Sequence, residues 1–325
     1  METTSTYDAV VIGGGAAGLN GALMLARSRR SVAVVDAGTP RNAPAEAVHG
    51  LLGHDGVPPA ELYRRGREEV SGYGGVVVDG EVAAAGPADP APDGDLRFTV
   101  ALTDGRSLTA RRLLVATGAR DVLPDVPGLA DHWGSSVVHC PYCHGWEVRD
   151  EPIGVLAVGP ASVHQALLFR QLTDDLVYFT RDTELDEETR TRFAARGVRV
   201  ADGAVVEVIT GDGGGIAGVR LADGELVVRR VLAVGTSLWP RLDGLAALGL
   251  PTEDLPGGMG RRVVSGMAGT TDVPGVWVAG NVTDPMAQVG ASAAAGALAG
   301  AHINAHLAAA DTDAAVARQA GTPVG

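Results

Sequence analysis

A glycine-rich turn between an apolar strand and a helix constrains this chain more than any other feature. Tyr7 to Ile12 (YDAVVI) reads as a short strand, Gly13 to Gly18 (GGGAAG) as the turn, and Leu19 to Arg29 as a helix. Val32 to Asp36 (VAVVD) is a second strand. A βαβ unit of this kind commits the opening of the chain to a parallel α/β sheet with a dinucleotide-type turn. Gly13 makes the tight turn, Gly15 lets the backbone approach a pyrophosphate, and Gly18 lets helix and strand pack closely. Ala16 and Ala17, in the turn, lead into a helix whose free N–H groups and positive dipole end face the phosphates. Asp36, followed by Ala37, stands where an acidic side chain binds an adenosine ribose hydroxyl. The plain alternative is a glycine-rich turn with no ligand; strand, helix and acid together favour the nucleotide.

With 325 residues the chain exceeds one typical domain, so two are expected. Val76 to Thr117 is β-rich, with Asp104-Gly105 as a hairpin turn, and Gly86 to Asp95 reads as an exposed loop. A second βαβ-like unit starts at Ile153. It keeps Gly159 but has Pro160, Ala161 and His164 in the following positions, which makes close approach to a pyrophosphate harder. Val198 to Val234 is again β-rich. The last segment returns to a strand at Val276 to Ala279, then Gly280-Asn281, then a small-residue helix from Gln288 to Leu307. Ala308 to Gly325 lacks periodicity and is expected to fray.

The formal net charge is -13 and there is no lysine; the arginines are scattered without a run. Nucleic acid is therefore excluded as an expected partner, because phosphate contacts would work against that field. No stretch reaches the apolar length needed to cross a bilayer, so no membrane partner is expected. Met1 to Asp8 lacks the basic-then-apolar layout of an export signal, so a cytoplasmic protein is expected.

Both cysteines lie in one C-x-x-C, Cys140 and Cys143. In a reducing compartment that spacing argues for redox or metal chemistry, not a structural staple. The thiolate is the reactive form, and a C-x-x-C at a helix start lowers a thiol pKa through N–H groups and the dipole. His144 follows directly and can exchange a proton near neutral pH. His139 precedes the pair and is a second candidate carrier, with packing as its plainer role. C-x-x-C-H is also the attachment signature of c-type haem, which the absent export signal and the nucleotide turn oppose. A zinc site would need His139, Cys140, Cys143 and His144, which crowd too closely for the usual separated pairs, so no metal is expected. Trp133, Tyr142 and Trp146 are expected to pack around the site or to line an apolar substrate pocket.

Four segments in order, VVIGGGAAGLNGA, LLVATGA, CPYCHGWE and VPGVWVAGNVTDP followed by a helix, make the sequence resemble the low-molecular-weight thioredoxin reductase family over nearly its whole length. The resemblance implies an α/β fold of two Rossmann-like, three-layer domains. One is a discontinuous FAD domain from residues 1–119 and 239–325. The other, residues 120–238, is a central NAD(P)-binding-like domain that carries the C-x-x-C and is degenerate for NADPH. By the same likeness FAD is the cofactor. Thr117 and Gly118, with Gly280 and Asn281, would contact it. Gln288 and Val289 would point helix N–H groups at the flavin, and Arg41 and Asn42, together with the stretch His49 to Gly56, would fall where the family's second flavin-contacting loop lies. The family normally reads Gly-Asp where this chain reads Gly280-Asn281, and an amide can still hydrogen-bond a hydroxyl. The resemblance also implies that Cys143 is the sulfur beside the flavin and Cys140 the one that meets an external dithiol.

CPYCHGWE and GNVTDPMAQVGASAAAGALAGAHIN are similar to the dithiol oxidase branch, which closes disulfides in natural products of the holomycin and gliotoxin type. Arg181 stands alone where the reductases carry an arginine cluster for the NADPH 2′-phosphate. The implied activity is oxidation of a small-molecule dithiol, with molecular oxygen as acceptor and hydrogen peroxide as product. An NADPH-dependent reductase is the alternative, and a flavin-bearing redox sensor a third reading. A homodimer is expected from the family and from the prevalence of closed symmetric pairs.

Overall fold

In the computed structural model, which describes residues 5–91 and 94–320, uninterrupted apolar runs along short strands produce two largely parallel sheets, each buried on both faces. In the first, Val76–Asp79, Val32–Asp36, Ser5–Ile12 and Ser107–Val115 lie side by side and parallel. Val10, Ile12, Ala33 and Val35 fill one face, while Ala9, Val11, Val32 and Val34 fill the other. On the side away from Ser5–Ile12, Ser107–Val115 is shared between two further neighbours. Its first half pairs antiparallel with Arg97–Leu102, and Leu113 to Val115 pairs parallel with Val276–Val278. The first sheet is therefore built from both ends of the chain. Helices α1 (Ala16–Arg27) and α2 (Pro59–Gly72) belong to this unit.

The second sheet orders Arg199–Ala201, Leu176–Phe179, Ile153–Leu156, Val231–Val234 and Val137–Val138, all parallel. Its helices are the four-residue α3 (Pro141–His144), α4 (Ala161–Phe169) and α5 (Glu187–Ala195). A three-stranded antiparallel sheet, Val205–Thr210, Ile216–Leu221 and Leu226–Val228, covers one side. Two strands, Ala119–Val122 and Ser237–Pro240, pair antiparallel where the chain passes between the units. Among the described residues no helix is long and apolar enough to cross a membrane.

Two expectations need correction. The last helix, α6 (Val289–Ala320), does not stop at Leu307 but runs through the segment expected to fray. Its extension is alanine-rich, the best helix former, and Asp311 is tied back by Arg30 and Arg111, each at 2.6 Å. Residues 321–325 lie outside the described residues. The expected loop from Gly86 to Asp95 begins instead as strand, since Val82–Ala88 pairs antiparallel with Arg97–Leu102 at the sheet edge, where Pro87 is tolerated. Residues 92 and 93 of that segment, and Met1 to Thr4 at the start, fall outside the described residues.

Candidate active site

The first turn is shaped as the glycine spacing requires. Gly13 has φ +108 and donates its N–H to the Val35 carbonyl at 2.8 Å, so the chain reverses into α1 with Gly15 as its N-cap. Gly15, Ala16 and Ala17 border a cavity of about 1250 Å³ that starts here and runs past the cysteine pair into the second unit. Gly18 is not on its wall; a side chain there would strike the Gly13 carbonyl, so this glycine serves helix packing. Asp36 and Ala37 line the same end, and the Asp36 carboxylate is held by Arg67. Asn42, Thr117, Gly118, Gly280, Asn281, Gln288 and Val289 continue the wall. The Thr117 hydroxyl oxygen is buried and has no hydrogen-bond partner among the described residues, a polar atom in need of a ligand. The Asn281 amide nitrogen is already committed to backbone carbonyls, which leaves its oxygen to accept from a cofactor hydroxyl. An elongated groove with a phosphate turn at one end, free polar atoms along it and a thiol pair beyond fits FAD.

Arg41 also lines the cavity, but its guanidinium is engaged. It grips Asp121 with two bonds, at 2.7 and 2.8 Å, and donates to the Pro285 carbonyl at 2.8 Å. Asp121 also accepts from the Thr236 hydroxyl at 2.6 Å. One partly buried ion pair thus joins a loop of the first unit, a strand between the units and the residue before the return strand. Burial alone would raise the Asp121 carboxyl, but Arg41 and then Thr236 hold it below the ordinary carboxylate value. Arg41→Ala should cost about 2 kcal/mol in urea unfolding at pH 7, because it leaves Asp121 buried without its partner. The folded carboxyl is depressed, so this stabilisation is complete above the unfolded pKa of about 3.9 and vanishes as pH falls through the lower folded value. The gap between parent and variant should close in acid.

Cys140 caps the short α3, and the Cys143 and His144 N–H groups both point back to its carbonyl, at 3.3 and 3.2 Å. Both sulfurs are free thiols on the cavity wall. The Cys140 pKa is drawn down to about 6, first by the hydrogen bond from Cys143, then by backbone N–H groups and the Gln288 amide, against burial. The donated bond and burial push the Cys143 thiol up correspondingly. One thiolate shared between two sulfurs is therefore carried by Cys140.

His139 donates from Nδ1 to the Val234 carbonyl at 3.1 Å in the tautomer this contact favours, leaving Nε2 as acceptor. Burial lowers its pKa, and burial likewise lowers that of His144. Neither ring nitrogen of His144 has a partner among the described residues. Both rings are thus neutral bases at neutral pH. Of the aromatic residues expected nearby, Trp133 and Tyr142 line the cavity; Trp146 is exposed and stacks under the Arg149 guanidinium, 4.2 Å from the ring centre. His302 and His306 lie away from the site. Their Nδ1 atoms accept from Trp277 Nε1 at 3.0 Å and Arg112 Nε at 3.1 Å, pinning α6 to the first sheet.

Two site residues escape sequence reasoning. Asp121 gave no signal apart from its arginine partner. Gln165 donates to the His139 carbonyl at 2.7 Å from α4. His49, in the stretch expected at the second loop, lies 3.4 Å from both Asp55 and Glu147 and bridges that loop to the residues after α3.

The second dinucleotide-type turn differs from the first. The Gly257 carbonyl from the first unit sits across Gly159, where even a methyl group would come within 3.3 Å of it. Arg181 lines the cavity and donates from Nη1 to the Ala157 carbonyl at 3.0 Å.

A family profile described as pyridine nucleotide-disulphide oxidoreductase matches residues 7–300. Thioredoxin reductase tcpT of Claviceps purpurea (strain 20.1) is 36% identical over 292 residues, covering 86% of this chain and 88% of its own. Thioredoxin reductase aclD of Aspergillus oryzae (strain ATCC 42149 / RIB 40) is 31% identical over 251 residues, covering 73% and 77%. The crystal structure of HlmI superposes with a TM-score of 0.89 at 44% identity, covering 98% of this chain and 99% of that one.

Proposed function

The chain belongs to the pyridine nucleotide-disulphide oxidoreductase family, as an FAD-dependent enzyme of thioredoxin reductase-like fold, and from that premise we propose that it oxidises small dithiols to disulfides with molecular oxygen as final acceptor. The substrate class is a dithiol natural product of the holomycin and gliotoxin type, closed to an intramolecular disulfide. The observation that carries this reading is the second turn, where Pro160, Ala161 and His164 follow Gly159 in place of glycines and Arg181 spends one N–H on the Ala157 carbonyl. A nicotinamide dinucleotide would need a free phosphate cradle and a free arginine there.

The residues at the cysteine pair suit the oxidising direction. A substrate thiolate attacks Cys140 of the closed pair, forming a mixed disulfide and releasing Cys143 as thiolate. The second substrate thiol gives its proton to a neutral histidine, His144 or His139, and attacks the substrate sulfur of the mixed disulfide. The substrate disulfide closes and Cys140 departs as thiolate, a good leaving group at its lowered pKa. Tyr142 and Trp133 offer apolar surface to the body of the substrate. Bound FAD supplies the two-electron acceptor that reoxidises the thiol pair and, once reduced, the donor to oxygen, so that one dithiol and one O2 yield one disulfide and one H2O2. The chain is proposed to act as a homodimer in the cytoplasm.

Two measurements test this. NADPH added anaerobically should leave the flavin absorbance unbleached, and a small dithiol in air should drive steady oxygen uptake with equimolar peroxide. Prompt bleaching by NADPH would instead make the chain a reductase. Absence of uptake with every dithiol tried would leave it a redox sensor.

A further inference from the structure

We infer that Gln288 is a catalytic residue, its side-chain amide donating to the Cys140 sulfur to hold it as thiolate, and that Asn281 is the residue that positions it. The inference rests on the dithiol-oxidising reading above and assigns the group that stabilises the leaving sulfur in it.

The contact joins the two units. Gln288 Nε2 lies 4.0 Å from Cys140 Sγ, within reach of a hydrogen bond to sulfur. Gln288 immediately precedes α6, and its carbonyl accepts the Ser292 N–H at 2.8 Å, so its backbone is fixed at the helix entry. A loop bounds its other side, since a side chain on Gly50 would come within 3.7 Å of Gln288 Oε1. The side chain is otherwise open to solvent, and the Cys140 sulfur is the group that its amide nitrogen meets.

The turn that delivers Gln288 is built on Asn281. Its Nδ2 donates to the Asp284 carbonyl at 3.0 Å, to Pro285 at 3.2 Å and to Ala287 at 2.8 Å. Arg41 adds a further donor to Pro285. An aspartate of the same shape would bring an acceptor oxygen against those three carbonyls, with nothing to donate. The amide at 281 is thus what folds residues 284–287 tightly enough to set Gln288 over the thiol pair.

In the closing step the bond between Cys140 and the substrate sulfur breaks, the sulfur–sulfur bond within the substrate forms, and the electron pair leaves on Cys140. An N–H already aimed at that sulfur stabilises the charge as it develops, without reorganisation. The depressed Cys140 pKa, to which the Gln288 amide contributes after Cys143 and two backbone N–H groups, agrees with this placement.

The test is alkylation of Cys140 by iodoacetamide in anaerobically reduced holoenzyme, followed against pH by peptide mass, with flavin absorbance reporting the fold. Gln288→Ala should raise the midpoint by about one pH unit, a tenfold loss of thiolate below both midpoints. Gln288→Glu should raise it further, because a carboxylate opposes the thiolate, and Asn281→Asp should raise it by misplacing the amide. A purely structural role would not order glutamate above alanine. An unchanged midpoint in both flavin-retaining Gln288 variants overturns the assignment, and a shift in those with none in Asn281→Asp removes the role given to Asn281. Alkylation uses neither substrate dithiol nor oxygen, so failure of dithiol oxidation in the parent enzyme is a separate result, which strikes the activity and not this contact.

Discussion

Cys140→Ser should lower dithiol-driven oxygen uptake by roughly a thousandfold or more, the scale seen when an attacked or attacking group is removed from a covalent cycle. The cofactor should stay bound. The FAD groove is walled by Gly13, Gly15, Thr117 and Asn281, whereas Cys140 enters from α3 of the second unit. A serine oxygen cannot form the mixed disulfide, and its hydroxyl does not ionise near pH 6 as this thiol does. Cys143→Ser should be equally inactive, since a single remaining thiol cannot reclose a disulfide. Oxygen uptake and the flavin spectrum, read on the same sample, decide the matter. A yellow variant with full turnover would mean that the substrate exchanges with some group other than this pair.

The second large effect concerns packing. α1 and α6 cross so closely that a side chain on Gly296 would lie 1.9 Å from the Ala17 carbonyl oxygen, and one on Gly300 would lie 2.5 Å from that of Gly21. Ala17 belongs to the first turn of α1, beside the phosphate turn, and α6 carries Gln288 at its entry. Gly296→Leu must push the helices apart and so open the groove from both sides. It should cost about 3 kcal/mol or more and give protein that purifies without flavin. Ala295→Leu, on the exposed face of the same helix, should leave flavin content and melting temperature close to the parent values. Comparable flavin retention in both variants would refute this account of the crossing.

These two regions also show where sequence reading succeeds and where it stops. The Gly13 turn and the cysteine pair are legible because each is a local pattern whose spacing carries its own chemistry. Most strands of both sheets are legible because unbroken apolar runs such as Ala9 to Ile12 and Val32 to Val35 need no partner to be seen. The end of α6 is not, because its extension has no apolar period and Asp311 is held by arginines some two hundred or more residues away. The edge strand through Pro87 reads as a loop by composition and becomes strand only because Arg97–Leu102 pairs with it. Arg41 is readable as a cavity residue, but its engagement with Asp121 is a tertiary fact. So is the Gln288 amide at Cys140, which the helix-entry pattern alone would assign to the cofactor.

The shared strand Ser107–Val115 has a consequence for how the molecule is made. Its inner half remains an unpaired edge until Val276–Val278 leaves the ribosome, roughly ten to thirty seconds later at ordinary elongation rates. During that interval the central unit can complete its own sheet and core, while the amino-terminal unit waits with open backbone hydrogen bonds beside Leu113 to Val115. Cofactor capture is therefore a late event in biogenesis, and a nascent chain arrested before Val276 has neither the closing strand nor the helix that finishes the groove.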